Sequence, residues 1–108
     1  MSAEDTRLLF IYHGGTVPPE RAEENIAELW QWLRDLSEEP GHVTNFVANG
    51  GKTLISTALG DYDGQIFGIS IVEATSLEHA TTLARQWPEL KYGGRLDILT
   101  ELPGRRGT

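Results

Sequence analysis

Residues 68–102 read G-I-S-I-V-E-A-T-S-L-E-H-A-T-T-L-A-R-Q-W-P-E-L-K-Y-G-G-R-L-D-I-L-T-E-L, from Gly68 to Leu102, and this stretch decides half of the fold. It opens as an extended chain, with Phe67, Ile69 and Ile71 pointing one way and Ile66, Ser70 and Val72 the other. Thr75 stands at capping-box spacing from Glu78: its hydroxyl would take the Glu78 amide while the carboxylate reaches back to the Thr75 amide. Leu77, Ala80, Leu83, Ala84 and Trp87 then fall on one stripe of a helix. Pro88 has no amide hydrogen and disfavours helical geometry at Trp87, so the helix stops there. Gly93-Gly94 permits a tight turn. Leu96, Ile98, Thr100 and Leu102 alternate with Arg95, Asp97, Leu99 and Glu101, the pattern of a half-buried strand.

Working upstream, Asp63-Gly64 within Gly60–Gln65 is a hairpin signal that joins this strand to another, predicted over Lys52–Leu59. His42 to Ala48 reads equally as a short extra strand or a loop. Before it, Ala22, Ile26, Leu29, Trp30, Leu33 and Leu36 form an apolar stripe that predicts a long helix from Pro18-Pro19 to Pro40-Gly41. Glu20, Glu23 and Glu24 lie in its first turns, where the helix dipole favours anions. Trp30 and Trp87 are read as core, with Trp32 at the edge of the stripe and facing a partner. Arg7 to His13 is an apolar run of strand length that stops at Gly14-Gly15.

The order is strand, helix, strand, strand, helix, strand. An α+β fold of ferredoxin-like type satisfies it: a four-stranded antiparallel sheet with two helices on one face. The first and third strands are apolar on both faces, as Leu8, Leu9, Phe10 and Ile11 and then Ile66, Phe67, Ile69, Ile71 and Val72 show. Two helices cover only one face of such a sheet. A second copy packed sheet against sheet would cover the other, so a homodimer is expected.

At 108 residues the chain is read as one domain, 1–108, with 103–108 a flexible tail that carries Arg105-Arg106. The absence of cysteine excludes disulfides and thiolate metal sites. A net charge of −7 opposes binding to nucleic acid, which needs lysine and arginine against its phosphates. No apolar run approaches the ~20 residues of a membrane span, and no signal pattern opens the chain, so a cytoplasmic protein is expected.

Several segments together resemble one family. They are the opening L-L-F-I-Y-H-G-G, the helix A-E-L-W-Q-W-L, G-K-T at Gly51 to Thr53, and the D-G of Asp63-Gly64. G-x-S-I-V-E-A-x-S-L-E-x-A at Gly68 to Ala80 follows, and then P-x-L-x-x-G-G at Pro88 to Gly94. In order and spacing the chain resembles the YCII-related family, in particular its DGPF-type branch of dimeric α+β barrel proteins. The resemblance implies a dimer and a cleft rather than one defined activity. The family's D-G-P-F reads Asp63-Gly64-Gln65-Ile66 here, and the cysteine that often precedes the proline is Trp87. Other members carry a histidine on the first helix, proposed to act with an aspartate; this helix has none.

Three motif fragments fail on chemistry. Gly50-Gly51-Lys52-Thr53 lacks the upstream glycine of a phosphate loop, where Phe46 stands, and a strand follows it instead of a helix. His13-Gly14-Gly15 has no nucleophile elbow to serve. Asp61-Tyr62-Asp63-Gly64 is too short for a calcium loop. The three histidines, His13, His42 and His79, show no metal-ligand spacing, and no metal or cofactor is expected.

Topology instead predicts that one end of the sheet gathers His13, Asp61, Tyr62, Asp63, Trp87, Tyr92 and Arg95. His13 held by Asp61 or Asp63, within a subunit or across the dimer, would be a general base. Arg95 would hold a carboxylate or enolate, and Tyr62, Trp87 and Tyr92 would wall a small organic ligand. A cofactor-free lyase, isomerase or dehydrochlorinase is one expectation; a non-catalytic ligand-binding, regulatory or assembly protein is the other. Against the first stands the plainer reading of His13 as a packed strand end and of Asp61 and Asp63 as turn formers.

Overall fold

A computed structural model describes residues 6–102, so the predicted tail at 103–108 lies outside the described residues. Strand β1 (Thr6–His13) leads through a short 3-10 turn to helix α1 (Ala22–Ser37). Strand β2 (His42–Val47), strands β3 (Lys52–Ile55) and β4 (Ala58–Asp61), and strand β5 (Ile66–Ala74) follow. Helix α2 (Leu77–Ala84), a 3-10 turn (Pro88–Tyr92) and strand β6 (Arg95–Thr100) complete the chain. The main sheet has the order β2-β5-β1-β6, with every neighbouring pair antiparallel. The fold is α+β, as the sequence predicts.

The second sheet strand differs from the one predicted. His42–Val47 pairs with β5, while the predicted strand Lys52–Leu59 folds into a separate two-stranded sheet, β3 on β4. Its turn is Ser56-Thr57, with Ser56 at φ 56°, rather than Asp63-Gly64. The alternation of β2 explains the choice. Asn45 points to the helix side, where it accepts a hydrogen bond from Ser70, and Phe46 lies opposite Ile69 on the other face.

Leu8, Phe10 and Tyr12 of β1 and Val72 and Ala74 of β5 bury one face of the sheet against Trp32 and Leu36 of α1 and Ala80 and Ala84 of α2. Leu96 and Ile98 of β6 join them. On α1 the buried stripe is Asn25, Leu29, Trp32, Leu33 and Leu36, rotated from the predicted one so that Ile26 and Trp30 fall outside it. At about 100° per residue, Trp30 lies about 120° from the middle of that stripe, so it is exposed while Trp32 is core. A count of apolar residues misplaced the stripe because one of its members is the polar Asn25.

Ser76, one residue after the predicted Thr75, caps α2 by accepting the His79 amide at 3.0 Å. Trp87 is core but lies outside the helix, extended before Pro88, as the restriction on a residue preceding proline requires. A register shift at Tyr12/His13 also turns Phe67 to the helix side, where it stacks on Trp87 at 5.9 Å. Ile69 and Ile71 keep their predicted direction.

A polar line crosses this core. Tyr12 Oη bonds Ser70 Oγ and accepts from Trp32 Nε1 at 3.3 Å, and Ser70 donates to Asn45 Oδ1 at 2.6 Å. Burial raises the Tyr12 pKa, the bonds to Ser70 and Trp32 offsetting part of that rise. The folded state thus holds this proton more tightly than the unfolded chain. Its contribution to stability is complete below a pH of about 10 and is lost as pH rises above it. Urea midpoints measured from pH 8 to 11 should fall steeply above pH 10, and Tyr12→Phe should flatten that fall. An unchanged slope would remove Tyr12 as its source.

Candidate functional site

The side chains that alternate with the core residues form a second face that neither helix covers. It carries Leu9 and Ile11 of β1, Phe46 of β2, Ile69 and Ile71 of β5, and Leu99 of β6, which are half-buried or exposed. An open hollow of about 310 Å³ lies there, lined chiefly by Leu9, Ile71 and Leu99, with Arg7 at its rim. Arg7 bonds Glu73 at 3.3 Å.

At one end of this face β1 finishes at His13, whose Cα partners are Arg95 of β6 and Ile66 of β5. His13 Nε2 lies 2.9 Å from Asp97 Oδ2, and Arg95 reaches the same oxygen at 3.3 Å. Arg95 is also 3.2 Å from His13 Nε2. A guanidinium cannot accept a hydrogen bond. The arrangement that satisfies both contacts to the carboxylate has His13 donating from Nε2, so Nδ1 is left as the basic nitrogen. The His13 side chain is only 16% exposed, which limits its competition with water.

His13 and Arg95 therefore meet as predicted, but the carboxylate is Asp97. Within the protomer Asp61 pairs with Lys52 at 2.7 Å, and Asp63 accepts the Gln65 amide at 3.1 Å, closing its own turn. Asp63 does what a turn former does, whereas Asp61 makes an exposed ion pair across the β3–β4 hairpin. Tyr62 also serves that turn: its hydroxyl accepts from Ile66 N at 2.6 Å and donates to Ile66 O at 3.0 Å. Trp87 lies on the helix side, 5.2 Å from the Tyr12 ring, and so is separated from His13 by the sheet. The Tyr92 carbonyl accepts from Thr16 N at 2.9 Å, and Lys91 lies 5.4 Å from the Tyr92 ring centre. The signal for Asp97 was present in R-L-D-I-L-T. Alternation puts Arg95 and Asp97 on one face, and the neighbouring strand puts His13 beside them.

Glu89 was not singled out from the sequence. It is buried, and its carboxylate accepts from Gly15 N at 2.7 Å and from Asn25 Nδ2 at 2.9 Å. It thereby ties the turn after His13 to α1 and to the 3-10 turn. Gly15 has no room for a side chain, because a Cβ there would overlap the Tyr92 carbonyl oxygen.

A further hollow of about 520 Å³ runs between α1 and the segment after α2, lined by Trp32, Leu36, Leu83, Trp87 and Lys91 among others. It does not include His13 and is open to solvent. Among the described residues no group of three or more histidine, aspartate or glutamate side chains is placed to hold a metal ion, and no helix is long and apolar enough to cross a membrane. No protein-family model matches the chain, and no curated protein matches it significantly.

Proposed function

We propose that the protein is a homodimer of the YCII-related type, with an acid–base site for a small organic anion built on His13, Asp97 and Arg95. The strand order β6-β1-β5-β2 with both helices on one face supports a ferredoxin-like sheet. The uncovered apolar face supports packing of two such sheets into a barrel. The observation that carries the function is the 2.9 Å bond from His13 to Asp97 beside that face.

Asp97 would orient the imidazole and stabilise its cation. Nδ1 would take a proton from a carbon next to a carbonyl, the C–H electron pair passing into the carbonyl as an enolate. Arg95 would bind the enolate or a neighbouring carboxylate with the donors that face away from Asp97. Return of the proton to another carbon completes an isomerisation, and loss of a β-substituent completes an elimination. Neither needs a cofactor. The hollow at Leu9, Ile71 and Leu99 favours a second reading, binding of an apolar ligand without chemistry.

The two readings separate in heavy water. Small β-keto acids, unsaturated lactones and hydroxyquinones are incubated with the protein, and loss of the acidic C–H signal is followed by proton NMR. A general base gives exchange on at least one compound, and His13→Ala slows it by about 10²-fold or more. Chemical-shift changes on binding, with no exchange above that of His13→Ala, would establish binding alone.

A further inference from the structure

The β3–β4 hairpin stands apart from the sheet. Its two strands pair with each other and with no strand of the main sheet. All of β4 is exposed, and Leu54, Ile55 and Leu59 are 67%, 72% and 67% exposed. A two-stranded hairpin is at best marginally stable alone in water, and exposed apolar side chains make it a surface in want of a partner.

We infer that this hairpin is an arm that crosses to a second copy of the chain and forms the apolar wall of that copy's His13–Asp97–Arg95 site. The inference rests on the reading of that cluster as a site. Its first support is topological. Strands β1 and β2 are both antiparallel to β5, so they end at the same end of the sheet. The arm therefore leaves after Val47 and returns at Ile66, the neighbour of His13, on the β2 side.

When two sheets pack face to face about a two-fold axis along the strands, rotation reverses their left-right order. The strands β2-β5-β1-β6 then lie on β6-β1-β5-β2, and the root of each arm faces the Arg95 and Asp97 side of the other copy. The sheets would be about 10 Å apart, and four residues of strand extend about 14 Å, enough to span the gap. Charge does not oppose this occupant: Lys52 neutralises Asp61 at the root of the arm, and Asp63 is held by its own turn, so no like charge is forced against the exposed Arg95 guanidinium. The ligand that fits is an organic anion with an apolar body: its charge on Arg95, its body against Leu54, Ile55 and Leu59.

The absence of native cysteine permits a direct test. Ile55→Cys is labelled with a benzophenone maleimide and mixed with unmodified protein enriched in nitrogen-15, and the photoproducts are mapped by mass spectrometry. The expected product joins the probe to the heavy partner chain within residues 7–13 or 95–99. Adducts confined to the probe's own chain, adducts to the partner around Ala74, or a protein that stays monomeric would each overturn the arm. Replacing Leu54, Ile55 and Leu59 together by serine should leave the circular dichroism unchanged, raise the dimer Kd at least tenfold and slow any proton exchange. Unaltered association would also overturn it. A wild-type protein that exchanges no proton yet gives the expected cross-link would instead refute the acid–base reading and leave the arm in place.

Discussion

Ile71→Lys is expected to hold the chain as a folded monomer of 12.0 kDa, where the parent protein, if it is the proposed dimer, should sediment at about twice that mass. Ile71 lies on the helix-free face, opposite Leu9 on β1 and Thr44 on β2. In the single chain a lysine there extends into water, so the helix-side core is untouched. In the proposed dimer the same ammonium would be buried among Leu9, Ile69 and Leu99. The nearest carboxylate on its strand, Glu73, is already engaged by Arg7. An uncompensated buried charge costs about 3 kcal/mol or more, and two-fold symmetry places two in one interface, so the Kd should rise by about 10⁴-fold. Sedimentation at micromolar concentration, with far-ultraviolet circular dichroism as the control for folding, reads this directly. Ile71→Leu should remain dimeric. A parent protein that is itself a stable monomer, or a lysine variant that still associates, would refute the barrel.

Glu89→Ala is expected to be the most destabilising single truncation near the site. It strips the Gly15 amide and the Asn25 side-chain amide of their common acceptor, and Asn25 and Glu89 are both buried. Each orphaned buried donor costs about 1–3 kcal/mol, so the loss should be about 2–5 kcal/mol. In urea that is a fall in midpoint of roughly 1–3 M for a domain of this size. Glu89→Gln supplies the contrast. Its carbonyl can keep the Gly15 amide, and its new amide can donate to Asn25 Oδ1, which has no partner among the described residues, once the Asn25 side chain flips. Most of the stability should return with the glutamine variant. Equal losses in both variants would mean that the negative charge, rather than the acceptor geometry, holds the turn behind His13.

The site was legible to different degrees, for identifiable reasons. His13 and Arg95 meet because β1 ends and β6 begins at one end of the sheet, and the order of elements already required that. Asp97 follows from the same alternation once the fourth strand is set beside the first. The expected partners Asp61 and Asp63 failed because a carboxylate beside a turn has nearer amides and cations to satisfy, here Gln65 and Lys52. Trp87 failed as a site residue because its burial is settled by packing on Tyr12 and Phe67, across the sheet from His13.

Local chemistry written in the chain determined the α+β class, both helices, the extended backbone of Trp87 before Pro88, the turn at Gly93, where φ is 83°, and the two-sided apolar character of β1 and β5, whereas α2 itself ends earlier than expected, at Ala84. These depend on periodicity and on backbone restrictions that act within a few residues. Tertiary structure alone decided which of two adjacent segments, His42–Val47 or Lys52–Ile55, would enter the sheet, and which tryptophan of α1 would be core. Both choices turn on polar partners distant in sequence. Asn45 is drawn in by Ser70, and Asn25 is held inward by Glu89, so that α1 is rotated and Trp32 rather than Trp30 is buried. A buried polar group must find its hydrogen bond wherever the fold supplies one, and no local pattern records where that will be.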